Sequence, residues 1–229
     1  MTTPSIAPAG AATLALFDLD HTLLAGDSDY LWGEFLADSG LVDRTRHAAA
    51  NERFYADYVA GTLDIQAYGR FVLEPLTPLD PARLDALRRE FIATRIRPIV
   101  APGAPALLTK HRDAGHTLVI TTSTNRFITE PIVALLGVGT LIATEPEIVD
   151  GRLTGRLAGI PNFQAGKITR LEHWLAVQPQ RFSTICAYSD SHNDLPLLER
   201  ADLPTAVDPD DRLRAIATQR HWPIISLRD

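Results

Sequence analysis

Two aspartates, Asp18 and Asp20, stand two residues apart at the end of an apolar run, Leu14-Ala15-Leu16-Phe17. A short apolar run with polar flanks fits a strand buried on both faces, and alternation would leave both carboxylates near one side of its carboxyl end. Carboxylates that close repel each other unless a proton or a cation lies between them, and a hard divalent ion is the natural agent. A polar strand-to-loop turn is the plainer reading of the same residues. Three further clusters bear on the choice. Thr122-Ser123-Thr124-Asn125 follows the run TLVIT and precedes a helical stretch. Hydroxyls and free amides there suit an anion, or merely cap the helix. Lys167 lies just inside the helical pattern after FQAG, and Ser189 to Asp194 follows a run that ends at Tyr188. Carboxylates for a metal, donors for an oxyanion and one cation, gathered on one edge, suit phosphoryl transfer, where positioning and charge neutralisation dominate.

The elements that must position these groups can be read from periodicity. After the first strand the pattern from Ser28 to about Arg97 is helical. It carries four apolar stripes: Tyr30 to Leu36, Phe54 to Val59, Ile65 to Leu73, and a helix opened by Asp80-Pro81. From Pro102 helices and strands alternate: helix to Gly115, strand 117–121, helix 126–136, brief strand 141–143. A hairpin at 147–154 turns on Asp150-Gly151, with the residues of a type I′ turn. Helix 166–177, strand 183–188, helix 193–200, strand 205–207, helix 210–220 and Ile224-Ile225 complete the order. Such alternation implies a Rossmann-like, doubly wound parallel α/β sheet, whose site lies outside the carboxyl ends of the strands. The expected organisation is a lead-in over 1–12, a core formed by 13–27 and 98–229, and a small all-helical domain over 28–97 inserted after the first strand.

Composition narrows the classes. A formal charge of -6 over 229 residues, with no Lys/Arg run, argues against a nucleic-acid partner. No apolar stretch is long enough to span a membrane. The single cysteine, Cys186, lies in an apolar-leaning run and reads as a small buried residue. The amino terminus lacks the charge pattern of a secretory signal, so the expected location is the cytoplasm.

In FDLDHTLL, the TTSTN turn, Lys167 and YSDSHNDLPLL, in that order, the chain resembles the haloacid dehalogenase superfamily of phosphohydrolases, and its helical insertion resembles the cap of the phosphoserine-phosphatase-like branch. The resemblance implies a phosphatase of small phosphomonoesters, with Mg²⁺ as cofactor and an aspartyl-phosphate intermediate. It makes Asp18 the nucleophile and Asp20 the general acid, then base, whose backbone carbonyl binds the metal. Thr122, Ser123 and Lys167 would hold the phosphoryl oxygens, Asp190 would be a metal ligand, and Asn193 and Asp194 would support the metal and its waters. His21 reads as loop variation, with a catalytic or substrate contact as the alternative, and His192 reads as structural.

Specificity falls on the insertion. Asp27 sits at the spacing where phosphoserine phosphatases carry an acidic residue for the substrate amine, and it equally suits the N-cap of the first inserted helix; Asp29 has the same two readings. For the arginine that receives the substrate carboxylate, an ungapped count lands on Val72, with Arg70 two residues earlier. Tyr55, Tyr58 and Tyr68 fit either the helical core or an aromatic lining for a ring-bearing or cationic substrate. The expected substrate is phosphoserine-like or histidinol-phosphate-like, acted on by a monomer or homodimer. The alternatives are a phospho-accepting regulatory or phosphate-binding protein of similar fold, and a metal-independent dehalogenase.

Overall fold

The computed structural model describes residues 12–229. The expected lead-in therefore lies outside the described residues, except Ala12, which already belongs to the first strand. The chain runs β1 (Ala12–Phe17), α1 (Ser28–Asp38), α2 (Arg44–Ala60), α3 (Ile65–Leu73), α4 (Pro81–Phe91) and α5 (Ala104–Asp113). It continues through β2 (Thr117–Asn125), α6 (Arg126–Leu135), β3 (Leu141–Val149), β4 (Arg152–Ala158) and α7 (Ala165–Ala176). The last elements are β5 (Phe182–Ser189), α8 (Leu195–Arg200), β6 (Leu203–Val207), α9 (Asp211–Gln219) and β7 (Ile224–Ile225).

The strands form one sheet in the order β4-β3-β2-β1-β5-β6-β7, parallel throughout except for the β3–β4 hairpin. The chain steps outward through β2 and β3 on one side of β1, then through β6 and β7 beyond β5 on the other. The order therefore reverses at β1, the switch point where α/β sheets place their ligands. Alternation within β1 decides its burial. Leu14 and Leu16 join the apolar cluster with Leu171, Leu197 and Leu213 on one face, whereas Ala15 and Phe17 join Leu108, Ile128 and Ile132 on the other. Truncating a leucine at such a position costs about 2–5 kcal/mol. Two elements outrun their sequence expectation. The segment Thr122–Asn125 continues β2 with an irregular register, and Asn125, not Ser123 or Thr124, caps α6 by accepting from Ile128 N. β3 extends to Val149 to make the hairpin, where Asp150 (φ 49°) and Gly151 (φ 74°) carry the positive dihedrals of a type I′ turn.

The inserted stretch is helical from Ser28 to Ile99, ending in a π turn and a 3₁₀ turn around Pro98. Its four α-helices begin on aspartates, Asp27, Asp43, Asp64 and Asp80, each accepting a first-turn amide hydrogen bond. The two crossings are tied together: Ala25 N donates to Ile99 O at 2.6 Å and Ala101 N to Leu23 O at 3.0 Å. The apolar side of the insertion, Trp32, Phe35 and Phe91, is continuous with the cluster holding Ile128 and Ile132. Pro131 inside α6 lacks the N–H that would serve the Phe127 carbonyl, and Arg88 of α4 donates there instead at 3.2 Å. At Gly69 of α3 a Cβ would meet Leu157 of β4 at 2.5 Å, so only glycine lets α3 lie that close to the hairpin.

Candidate active site

β1, β2 and β5, with the first turn of α7, bring the polar clusters together. Asp18 follows β1 and its N–H continues the pairing by donating to Tyr188 O at 2.9 Å. Lys167 is 2% exposed, not a solvated helix lysine; its Nζ lies 2.7 Å from Asp18 Oδ1 and 2.7 Å from Asp194 Oδ2. Burial alone would lower the Lys167 ammonium, but Asp18 and Asp194 outweigh it and hold the group above its usual range. Burial pushes the Asp18 carboxyl up to about 7, with Asp194 and Asp20 adding to the rise and Lys167 opposing it. Asp194 Oδ2 also accepts from Ser189 Oγ at 2.7 Å, so one oxygen is shared by the lysine and that hydroxyl.

Asp190 approaches from β5. Thr22 Oγ1 lies 2.9 Å from Asp190 Oδ1 and 3.3 Å from Asp18 Oδ2, so both carboxylates share one hydroxyl. Its single proton can serve only one of them at a time. Burial, then Asp18, raises the Asp190 carboxyl well above the carboxylate range. An all-oxygen donor set with negative charge in excess fits a hard divalent cation, which Asp18, Asp190 and the backbone carbonyl of Asp20 could hold. Among the described residues no three His, Cys, Asp or Glu side chains converge as a metal cage. An ion here would rest on these few oxygens and keep water in its shell.

Asp20 is fixed from both layers: Oδ1 accepts from Ser28 N at the start of α1 (2.7 Å), and Oδ2 from Thr124 Oγ1 (2.8 Å). Thr122 Oγ1, 3.4 Å from Asp20 Oδ2, and Ser123 line the same cavity, which measures about 540 Å³. The helices roof it with Phe54, Tyr55, Tyr58 and Tyr68. The end of α2 is clasped to the core: Tyr58 Oη bonds Ser191 Oγ at 3.0 Å, Asn193 Nδ2 donates to Tyr58 O, Gln164 Nε2 to Gly61 O and Arg212 Nη1 to Val59 O.

Asp18, Asp20, Thr122, Ser123, Lys167 and Asp190 thus converge, with Asp194 behind the lysine. Asn193 donates to the Tyr58 carbonyl and accepts from Gln164 Nε2. Asp27 lines the cavity while capping α1, and Arg70 is exposed and outside the lining. His21 adopts a left-handed backbone (φ 57°) at the rim, and His192 pairs with Asp210 at 2.8 Å. Thr22 was not singled out by the sequence, and Thr124 and Ser189 entered only as members of their clusters, with no partner assigned. Their signal is a hydroxyl close in sequence to a strand-end aspartate or threonine, too common a pattern to stand out alone.

The family model described as haloacid dehalogenase-like hydrolase matches residues 15–199. A histidinol-phosphatase of Neisseria meningitidis serogroup C is 42% identical over 219 residues, covering 94% of this chain and 99% of that protein. A phosphoserine phosphatase of Mycobacterium tuberculosis is 30% identical over 96% of this chain and 73% of its own length. Among solved structures, a Bordetella pertussis Tohama I protein of unknown function superposes with a TM-score of 0.89 at 42% identity, covering 95% and 99% of the two chains. A substrate-bound phosphoserine phosphatase complex shares the fold at a TM-score of 0.67 and 19% identity, covering 96% of each chain. With a match of that breadth laid over strand ends that carry these groups, the chain belongs to the haloacid dehalogenase-like hydrolases.

Proposed function

We propose that this chain is a Mg²⁺-dependent phosphatase that hydrolyses a small phosphomonoester through an aspartyl-phosphate at Asp18. The observation that carries the reading is the buried meeting of Asp18 with Lys167 on one side and, through the Thr22 hydroxyl, Asp190 on the other. Bound Mg²⁺ would neutralise the carboxylates and the incoming phosphate, removing the repulsion between two anions.

In the first half-reaction an Asp18 carboxylate oxygen forms a bond to phosphorus as the ester P–O bond breaks. The carboxyl of Asp20 gives its proton to the departing alkoxide, so the alcohol leaves neutral. In the second, Asp20, now a carboxylate, takes a proton from water whose oxygen bonds phosphorus. The Asp18–phosphorus bond breaks and inorganic phosphate departs. Lys167 supplies fixed positive charge beside the nucleophile, with Thr122 and Ser123 at the phosphoryl end of the cavity. The helices of 28–97 act as a cap that excludes water and contacts the alcohol portion. The substrates supported are phosphoserine-like and histidinol-phosphate-like esters, the second favoured by the 42% identity to a histidinol-phosphatase.

Purified protein should release p-nitrophenol from p-nitrophenyl phosphate with Mg²⁺ and stop in EDTA; equal rates in both would remove the metal from the scheme. Asp18→Asn should abolish turnover and leave no acyl-phosphate trapped by rapid acid quench. Retained acyl-phosphate in that variant would move the nucleophile elsewhere.

A further inference from the structure

Strand β2 parts from β3 beside the cavity. Thr122 pairs with Ala143 and Asn125 with Thr144, so β2 spends Ser123 and Thr124 as extra residues over one step of β3. A bulge of that kind re-aims side chains at the end of a sheet and interrupts the ladder. Asn162, from the loop between β4 and α7, fills the opening and is 0% exposed. Its Nδ2 lies 2.9 Å from Thr122 O, 3.1 Å from Ile142 O and 3.0 Å from Thr121 Oγ1. Its backbone N–H donates to Thr144 Oγ1 at 3.0 Å.

Only one orientation of that amide works. Thr122 O and Ile142 O are both acceptors, so turning the amide over would set its oxygen against two carbonyls. The working orientation leaves Asn162 Oδ1 buried with no hydrogen-bond partner among the described residues. Such an acceptor is costly, and the donors on the other side of the amide must outweigh it. What they hold is the peptide that opens the bulge. In a trans peptide the carbonyl and the next N–H point in opposite directions, so fastening Thr122 O to Asn162 turns the Ser123 N–H away from it. The Thr122 hydroxyl, on the same backbone, faces the cavity 3.4 Å from Asp20 Oδ2.

The chain from Asn162 to Lys167 is short and taut. Gln164 is held at a positive φ of 48°, Gly166 N donates to Phe163 O at 2.8 Å and Lys167 N to Gln164 O at 3.0 Å. A strained residue of this kind persists only where its surroundings over-determine it. With so little slack, seating Asn162 between β2 and β3 also sets where Lys167 lies relative to Thr122 and Ser123.

We propose that Asn162 is a positioning residue for phosphoryl transfer: by plugging the gap between β2 and β3 it fixes the spacing between the donors Thr122 and Ser123 and the ammonium of Lys167. Asn162, Thr121 and Thr144 all lie outside the cavity lining, so the plug acts on the phosphoryl group through its neighbours and leaves the alcohol portion untouched. This deepens the phosphatase reading above and rests on it.

Asn162→Leu keeps the branched shape and removes the donors. With Mg²⁺ present, it should be compared with the wild type on L-histidinol phosphate and p-nitrophenyl phosphate, with inorganic phosphate as competitor. Small misplacements of reacting groups can cost about 10²-fold, so kcat should fall about tenfold or more for both esters while the ratio of their kcat/KM values holds. The inhibition constant of inorganic phosphate should rise severalfold, which a loss of stability alone does not produce. Leu87→Ala, at a buried position of α4 outside the cavity lining, controls for general loosening, and its phosphate constant should match the wild type. An unchanged phosphate constant in folded Asn162→Leu, a changed ratio between the esters, or an equal rise in Leu87→Ala overturns the proposal. If Asn162→Leu does not fold, Thr121→Val and Thr144→Val each remove one contact of the plug and decide in its place: a raised phosphate constant supports it and two unchanged constants overturn it. A wild type that hydrolyses neither ester defeats the phosphatase reading, and the proposal with it; failure of the proposal alone leaves wild-type turnover intact.

Discussion

Thr22 lies between two carboxylates that come from opposite ends of the chain: its Oγ1 is 2.9 Å from Asp190 Oδ1 and accepts from Asp190 N at 3.1 Å. Thr22→Val keeps the shape and removes both bonds, leaving a buried oxygen and a buried N–H without their partner. The expected cost is about 1–3 kcal/mol of stability. Because Asp190 is proposed to hold Mg²⁺, loss of the group that orients it should also raise the Mg²⁺ concentration for half-maximal activity by roughly tenfold or more. A metal titration with p-nitrophenyl phosphate reads this directly, and an unmoved midpoint would detach Thr22 from the metal.

Stability should depend on pH and Mg²⁺ together. Burial raises Asp18 to about 7 and Asp27 to about 6, against ordinary values of 3.8. A carboxyl raised in the folded state favours folding below its unfolded pKa, and that contribution is lost as pH climbs through the folded value. Metal-free protein should therefore lose this stabilisation between about pH 4 and pH 7. His111, lowered to about 4 by burial and then His116, works in the opposite sense between about pH 4 and pH 6.5. Its ring bonds Tyr188 and His116 and none of the metal carboxylates, so its contribution should cancel when samples with and without Mg²⁺ are compared. The increment from Mg²⁺ should be larger at pH 7.5 than at pH 5.5. With the ion at a hundredfold its Kd the gain is about 2.7 kcal/mol, roughly 5–10 °C in Tm. Thermal melts at the two pH values check this; equal increments would place the ion away from the raised carboxyls.

Much of this arrangement could be anticipated because local chemistry and global fold agree. Asp18 ends a run that is apolar on both faces, and Asp80-Pro81 and Asp150-Gly151 announce a helix start and a hairpin without reference to the rest of the chain. What the sequence hid is relational. Lys167 could be placed at the site from the sequence, but its pairing with both Asp18 and Asp194 shows only when α7 is docked. The threonine-rich segment after β2 reads as a turn, yet pairing with β3 keeps it extended as far as Asn125. Asn193, expected to support the metal, also donates to the Tyr58 carbonyl of the cap, a contact between distant segments that the sequence does not show. Asp27 and Asp29 shared the same two readings in sequence, and the structure shows Asp27 as the residue that caps α1 by accepting from Tyr30 N.

Lys167 offers the sharpest test of the core electrostatics, since one ammonium serves two buried carboxylates at 2.7 Å each. Lys167→Met keeps most of the stem and removes the charge, so Asp18 and Asp194 then face each other without compensation. Removing one partner from a buried ion pair costs about 3–5 kcal/mol. The loss should be greatest near pH 7.5 and should shrink at pH 5.5, where Asp18 carries its proton and the repulsion is relieved. Turnover should fall by about 10² or more even where the variant is folded, because fixed charge beside the transferring phosphoryl group is gone. Adding Asp194→Asn should recover part of the stability and none of the turnover, since it removes the second uncompensated carboxylate but leaves no cation beside Asp18. Urea titrations and kcat for the single and double variants give both quantities. A Lys167→Met protein as stable as the wild type at pH 7.5 would mean that solvent, not the lysine, balances these carboxylates.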